Sequence, residues 1–227
     1  IKSPIFYAVQ KNINIQTGQP TILDFDMQRI SQRINIVFNI RTEGNIKRED
    51  LAAPIIELSG ACGRFNIADA GRDPARLYRM AHQVQPDEFT QTGEGTYRCV
   101  VHFHTLGVIP SAAKGHLNGP GILQVALQVS TPQLDSSGAP VLDEEGNPVK
   151  NSRYIYGAIN PYDELTAAQL IEVRDGKIYL RYSKEDVNIE ITTPLVIKAD
   201  QIVPNDTGMG WQPHDPTNPD DDIIIEI

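Results

Sequence analysis

Apolar and polar residues alternate along several short stretches of the chain. Within residues 34–41 every second residue is apolar and the residues between are mostly polar, and the same period of two recurs in 97–105, 123–129, 178–182 and 187–191. Successive side chains of a strand point to opposite faces, so each stretch predicts a strand with one buried face. The predicted inward residues are Ile34, Ile36, Phe38, Ile40, Tyr97, Cys99, Val101, Phe103, Leu123, Val125, Leu127, Val129, Ile178, Leu180, Tyr182, Val187, Ile189 and Ile191.

Turn residues separate these strands. Asp175-Gly176 predicts a two-residue hairpin turn, and Glu145-Gly146-Asn147-Pro148 predicts the turn of a protruding hairpin near residues 132–152. Helix signals are limited to one turn within 46–52 and a short helix with an acidic start at 163–170. Many short strands with almost no helix predict an all-β fold, a single antiparallel β-sandwich domain over residues 1–227.

The end of the chain predicts one further strand. A Pro/Asp-rich tether, residues 204–222, leads into the apolar, largely β-branched run Ile223, Ile224, Ile225, Glu226 and Ile227. Five residues at ~3.3 Å each span ~17 Å, the length of an ordinary strand. An unpaired apolar strand invites aggregation, so we expect these five residues to pair with an edge of their own sheet or of a neighbouring molecule's sheet. They are the candidate assembly residues.

Composition narrows the classes of partner. The 227 residues are 40% apolar and 22% charged, which is typical of a folded protein, and the net charge of -9 argues against nucleic acid. The apolar runs are too short to cross a bilayer, so we expect no direct membrane insertion by this chain. The chain begins at Ile1 without a charged and apolar leader, and we therefore expect a processed product or a fragment.

Candidate chemistry is sparse. His102 and His104 share one strand face, but a zinc site needs three or four ligands and the sequence places no further ligand beside them. The acidic residues Asp215 and 220–222 lack the ligand spacing of a calcium loop and are interpreted as a solvated charge run. No phosphate-binding loop, nucleophile elbow or zincin motif occurs. We expect no catalytic centre, no metal and no cofactor.

Two residue groups admit alternative interpretations. Cys62 and Cys99 form either one disulfide, which needs Cα atoms ~5.5 Å apart, or two separate buried thiols, which is the favoured interpretation. Trp211 and the tyrosines within 154–162 form either a sugar-stacking surface or part of the core and its edges, and packing is the simpler interpretation.

Several segments together resemble fimbrillin-like proteins of Bacteroidales. Residues 27–36, Met-Gln-Arg-Ile-Ser-Gln-Arg-Ile-Asn-Ile, are similar to their strand with arginines spaced between apolar residues, and 58–63, Leu-Ser-Gly-Ala-Cys-Gly, is similar to their Leu-Ser-Gly segment. The other similar segments are 3–8, 65–67, 97–107, 208–211 and 223–227. The likeness covers most of the chain in short pieces, and is closest to the downstream domain of FimA-type (type V) pilus anchor and accessory proteins.

The resemblance implies a fold, a location and partners. Such proteins are exported lipoproteins with two transthyretin-like, Greek-key β-sandwich domains, and they assemble by strand exchange. It therefore implies a structural or adhesive subunit of a fimbria at the cell surface and outer membrane, with other fimbrial subunits and host or glycan ligands as partners. A lipid-attachment cysteine and a first domain are not recognisable here, so anchor, stalk and tip roles all fit. The alternatives are a glycan-binding surface lipoprotein domain and a hydrolase with two carboxylates across a cleft.

Overall fold

The computed structural model describes residues 4–44, 46–67, 71–72, 76–174, 177–180, 186–198, 201–205 and 208–214, with the backbone alone at 71–72, 171–174 and 177–180. In chain order the elements are β1 Phe6–Tyr7, β2 Gln28–Arg29, β3 Gln32–Glu43, β4 Ile55–Cys62, β5 Phe65–Asn66, β6 Gly71–Arg72, β7 Leu77–Gln83, β8 Phe89–Gly93, β9 Thr96–Thr105, β10 Leu123–Pro132, β11 Lys150–Ile159, α1 Tyr162–Ala167, β12 Ile171–Arg174, β13 Lys177–Leu180, β14 Val187–Lys198, β15 Gln201–Val203 and β16 Gln212–Pro213. Short 3-10 turns lie at Arg48–Asp50 and Pro86–Glu88.

Two five-stranded sheets form the body of the protein. Sheet I has the strand order β15-β14-β3-β9-β8, and sheet II has the order β16-β11-β10-β4-β7. Three small two-stranded sheets, β1-β2, β5-β6 and β12-β13, are attached to them. One cluster of buried apolar side chains takes members from both large sheets, so the sheets enclose a common core. The predicted all-β sandwich is confirmed.

The alternating stretches form strands with the predicted inward faces. In β3, the side chains of Ile34, Ile36, Phe38 and Ile40 are all 0% exposed, and their neighbours along the strand are less buried. β9 runs antiparallel beside β3, from the pair Gln32–Thr105 to the pair Arg41–Thr96. The predicted inward residues of β9 and β10 are likewise buried, as are Ile189 and Ile191 of β14. Side chains at 178–182 lie outside the described residues.

One strand pair is parallel. β14 lies beside β3 in parallel, with Ile189 opposite Ile36, whereas every other described strand pair is antiparallel. A parallel neighbour requires a long connection, and here the chain passes through α1 and the β12-β13 hairpin between β11 and β14. The β3–β14 register shifts between Ile191 and Leu195, around Pro194. Proline cannot donate to a ladder and is tolerated at such an irregularity.

The smaller predicted elements are present. The 3-10 turn Arg48–Asp50 lies within the predicted range 46–52. The helix α1, Tyr162–Ala167, begins one residue before the predicted range 163–170 and ends within it. Arg174 pairs with Lys177, as a two-residue hairpin requires, although the predicted turn residues Asp175 and Gly176 are outside the described residues. Cys62 on sheet II and Cys99 on sheet I are buried and form no disulfide with each other, in agreement with the favoured interpretation.

A tandem repeat forms the tip between β10 and β11. Residues 134–141, Leu-Asp-Ser-Ser-Gly-Ala-Pro-Val, and 142–149, Leu-Asp-Glu-Glu-Gly-Asn-Pro-Val, share the pattern L-D-x-x-G-x-P-V. In each repeat the Asp Oδ1 accepts hydrogen bonds from the main-chain N–H groups two and four residues later, at 2.8–3.0 Å. Gln133 N–H donates to Val149 O, Val149 N–H to Val141 O and Val141 N–H to Gln133 O, each at 2.8 Å. This closed ring orders the tip of the hairpin.

Candidate assembly surface

The five candidate assembly residues, 223–227, lie outside the described residues. The surface that precedes them is described as far as His214. β15 pairs with the end of β14 in sheet I, and the chain then crosses to sheet II, where β16 is the edge strand beside β11. The closing segment, residues 201–214, therefore connects the two sheets at one side of the sandwich. Part of the segment predicted as a tether, 204–222, takes part in this connection.

Trp211 fixes the closing segment in the core. Its side chain is 1% exposed, and its ring packs against that of Phe38 with centroids 5.2 Å apart. The indole Nε1–H donates to the carbonyl of Thr193 at 3.0 Å, within the irregular stretch of β14 around Pro194. The main chain is held as well, since Asn205 N–H donates to Trp211 O at 3.1 Å. Trp211 is thus a core residue, in agreement with the packing interpretation, and is not available to stack on a sugar.

Two glycines lie at close contacts of the closing segment, one with sheet II and one within the segment itself. A Cβ added to Gly157 of β11 would lie 2.5 Å from Ile202 Cδ1, and one added to Gly210 would lie 2.7 Å from Asn205 Cβ. β16 then pairs with β11 through Gly157–Pro213 and Ala158–Gln212, and His214 N–H donates to Tyr156 O at 3.0 Å. Gly157 therefore leaves room for the Ile202 side chain of β15 beside the point where β16 pairs with β11.

Past β16, β11 forms an edge of sheet II among the described strands. Residues 150–155 have no strand on the side away from β10 within the described ranges, and residues 150–154 are exposed. Because Tyr156 O faces β16, alternation directs the main-chain N–H and C=O groups of Ser152 and Tyr154 outward as well. β16 runs antiparallel to β11, and His214, the last described residue, lies opposite Tyr156 at the start of this edge. Among the described residues, no strand lies beside the outward main-chain groups of Ser152 and Tyr154.

β7 provides a second open edge on the opposite side of sheet II. It is seven residues long and pairs with β4 on one side only, among the strands that are described. Val84 N–H donates to Pro54 O at 3.0 Å, so residues 80, 82 and 84 direct their main-chain groups toward β4. By alternation the N–H and C=O of Ala81 point away from the sheet. Sequence reasoning did not single out this strand.

Glu88, in the connection from β7 to β8, lies between two histidines. Glu88 Oε2 lies 2.7 Å from His82 Nε2, and Oε1 lies 3.8 Å from His102 Nε2. Burial alone would raise the pKa of Glu88, but hydrogen bonds from Gln85 N–H and His82 lower it. The pKa of His102 is lowered by burial and by the charge of Arg33. His102 Nδ1 also lies 2.7 Å from Asn35 Oδ1 on the neighbouring strand β3, so its ring is held by contacts within the fold.

Metal clusters, apolar helices and cavities can be compared within the described residues. In the ranges given above, no group of three or more His, Cys, Asp or Glu residues is arranged to hold a metal ion, and no helix there is long and apolar enough to cross a membrane. A cavity of about 90 Å³ on the outer face of sheet II is lined by Gln124, Tyr156 and His214, among others. Two larger surface pockets measure about 320 and 660 Å³, and the 660 Å³ pocket is lined by Arg48 and Tyr97, among others. Small-molecule sites usually measure about 300–1,000 Å³, so these two pockets are within that range.

An exposed arm precedes the sandwich. β1 and β2 pair through Phe6–Arg29 and Tyr7–Gln28, and every residue from 9 to 28 is exposed. The large apolar side chains on this arm, residues 9–28, are Val9, Ile13, Ile15, Ile22, Leu23, Phe25 and Met27. The alternation of Leu23, Phe25 and Met27 with Asp24 and Asp26 is a strand signal in the sequence.

Comparison of the chain with protein-family models, with curated proteins and with solved structures gives no match.

Proposed function

We propose that this chain is a structural or adhesive subunit, of the anchor or accessory type, of a bacterial cell-surface fimbria that assembles through β-strand pairing. Its partners are other fimbrial subunits, and its place is the outer membrane surface of the cell. The proposal takes its family from the resemblance in sequence and its mechanism from strand chemistry. It includes no enzymatic activity, and a broad hydrolase screen that found turnover lost on substitution of one carboxylate would contradict that part.

The observation that supports the proposal most directly is the open edge of β11. Residues 150–155 offer main-chain donors and acceptors with no described neighbour, directly beyond the point where His214 pairs with Tyr156. An added strand gains affinity from main-chain hydrogen bonds and specificity from alternate side chains. The apolar run 223–227 follows in the same chain after a short polar segment. In this proposal the edge of β11 accepts an added strand, and residues 223–227 supply one.

Two arrangements follow from the same chemistry. In an anchor-type subunit, which receives a neighbour, residues 223–227 pair with a sheet of their own molecule. In a stalk subunit they are donated to the next molecule, and the edge of β11 receives the strand of the previous one. Either arrangement satisfies the requirement that an apolar strand be paired in the stable protein.

The first experiment deletes residues 223–227 and measures thermal stability and polymerisation, with Glu226→Gln as the control that keeps the strand. A large loss of monomer stability supports self-pairing, and intact folding with lost assembly supports donation. If neither property changes, the terminal strand has no role in folding or assembly and the proposal fails.

The second experiment blocks the edge of β11. Ser152→Pro removes an outward N–H, and its fixed φ is tolerated at an open edge. Ser152→Ala is the matched control, because both variants lose the 2.7 Å contact between the hydroxyls of Ser152 and Ser130. The proposal predicts that only the proline variant impairs strand addition, measured with a synthetic peptide of residues 215–227 or by polymerisation. Equal behaviour of the two variants would remove the edge of β11 from the mechanism.

A glycan-binding surface lipoprotein domain is the second candidate function. The observation in its favour is a pair of tyrosine rings on β11, Tyr154 and Tyr156, with centroids 6.2 Å apart and planes inclined by 23°. Tyr154 is 50% exposed, so its ring is open to a ligand. Glycan-array binding that is lost in Tyr154→Ala and kept in Tyr154→Phe would favour this function over assembly alone.

A further inference from the structure

We propose that the arm, residues 9–28, adds a strand to the open edge of β7 in a second copy of this chain. The contact uses a different segment and a different edge from the assembly contact proposed above, because residues 223–227 and β11 take no part in it. It therefore stands or fails independently of the fimbrial function.

The arm has the pattern of a half-buried strand without a sheet to bury it. Leu23, Phe25 and Met27 are 39%, 54% and 57% exposed, although they alternate with acidic residues as the inward residues of a strand do. Four further large apolar side chains are exposed on the same arm. A concentration of exposed apolar surface of this kind marks an interaction site.

β7 has the complementary pattern. Met80 is partly buried and packs against the core, whereas Arg79 and Ala81 on either side of it are exposed. The outer edge of this strand extends over Leu77–Gln83, and the main-chain groups of Ala81 point away from β4. Exposed edge strands of this length are usually covered or blocked in soluble proteins.

One antiparallel register satisfies both patterns. With Phe25 opposite Met80, the apolar side chains of the arm lie over the inner side of β7 and continue the core past its edge. The same register places Asp26 opposite Arg79, and residues directly opposite one another on antiparallel strands interact. It also places the outward main-chain groups of Ala81 opposite Asp24. Apolar faces, charges and main-chain groups therefore agree in a single alignment.

The described conformation favours a second molecule as the acceptor. The β1–β2 pair fixes the base of the arm, since Ile30 N–H also donates to Ile5 O at 2.8 Å, and the arm beyond it is exposed along its whole length. Each molecule then carries one donor arm and one acceptor edge. Such a head-to-tail contact produces a ring if the rotation between copies closes, and a filament if it does not.

The test measures molar mass by light scattering and sedimentation over a range of protein concentrations. Wild-type protein is expected to self-associate as concentration rises. In the first variant the arm is excised by replacing residues 8–27 with Asn-Gly, a dipeptide suited to the two-residue turn between Tyr7 and Gln28. In the second, Ala81→Pro removes the outward N–H of β7 and keeps the hydrogen bonds to β4, with Ala81→Ser as the control. Both the excised protein and the proline variant are expected to be monomeric.

A charge exchange tests the register. Asp26→Arg alone and Arg79→Glu alone are each expected to weaken self-association at least several-fold. An equimolar mixture of the two single variants is expected to associate, because the arm of one then matches the edge of the other. Circular dichroism and thermal unfolding of each variant establish that loss of association is not loss of folding.

Three outcomes would overturn the proposal. The first is a wild-type protein that stays monomeric at every concentration. This result would be obtained if the arm paired with β7 of its own molecule or bound a different protein. The second is association that survives excision of the arm. The third is association that depends on the arm but is equal in Ala81→Pro and Ala81→Ser, which would place the acceptor elsewhere.

Discussion

Substitution of Trp211 tests whether the closing segment, residues 201–214, is part of the folding core. The side chain is 1% exposed and contacts Phe38 in the opposite sheet, so Trp211→Ala removes a large buried ring and leaves a cavity. Such truncations cost about 3–5 kcal/mol. The variant also leaves the carbonyl of Thr193 without the donor that lies 3.0 Å away, which costs about 1–3 kcal/mol if water cannot replace it. We expect a loss of about 4–6 kcal/mol, a large part of the stability of a typical domain.

Trp211→Phe separates the two contributions. It keeps an aromatic ring beside Phe38 and removes the indole N–H, so we expect it to cost about 2–3 kcal/mol, less than the alanine variant. Urea unfolding followed by far-ultraviolet circular dichroism gives the midpoint and slope for each protein. The chain has one tryptophan, so wild-type fluorescence reports on this residue alone and is expected to shift to longer wavelength on unfolding.

Two results would refute this reasoning. Native fluorescence already at the wavelength of solvent-exposed tryptophan would place Trp211 outside the core. Equal stability of wild-type and Trp211→Ala would mean that residues 201–214 fold separately from the sandwich. In either case residues 201–214 would not hold the start of the predicted terminal strand near β11, and the proposed assembly contact would lose its geometric basis.

Three further predictions concern packing, pH and thiol reactivity. Gly157→Ala is expected to lower stability by about 1–3 kcal/mol in chemical unfolding, because its Cβ would lie 2.5 Å from Ile202 Cδ1 and the neighbour must move. At Asp50, burial would raise the pKa, but the contact with Lys150 Nζ at 2.8 Å and the N–H of Lys47 lower it below the ordinary 3.8. The carboxylate therefore stabilises the fold above about pH 4 and this contribution is lost as pH falls, so stability measured from pH 6 to 3 should fall more for wild type than for Asp50→Asn. Burial raises the pKa of Cys99 to about 12, and a thiol reagent at pH 8 is expected to label it only after unfolding.

The period of two was sufficient to identify the core strands, because half-buried strands enforce it residue by residue. Ile34 to Ile40 and Tyr97 to Phe103 are buried in the predicted alternation. The alternating pattern does not indicate which strands lie next to one another in a sheet. That β14 lies parallel to β3 depends on where a long connection returns, and no local signal encodes it.

The candidate site was predicted less completely than the fold. The apolar terminal run indicates a strand, but a strand's partner is set by which edges are open, and the edges of β7 and β11 appear only once the sheets are assembled. Leu23 to Met27 has the same alternation as the buried strands and is nevertheless exposed. Alternation therefore identifies a strand with two unlike faces, and packing decides whether its apolar face is covered within the same molecule.

The parallel pairing of β3 with β14 has a consequence for the order in which the protein can fold. Ile36, at the centre of sheet I, has Val101 opposite it on one side and Ile189 on the other, so its two neighbours come from the middle and the late part of the chain. Folds dominated by such distant contacts form slowly, because the entropy of closing long loops is lost before the contacts form. During synthesis from the N-terminus, β3, the central strand of sheet I, is made before its neighbours β9 and β14. A nascent chain that ends before Val187 leaves one side of β3 without its neighbour, and we expect such intermediates to require protection from aggregation until β14 is in place.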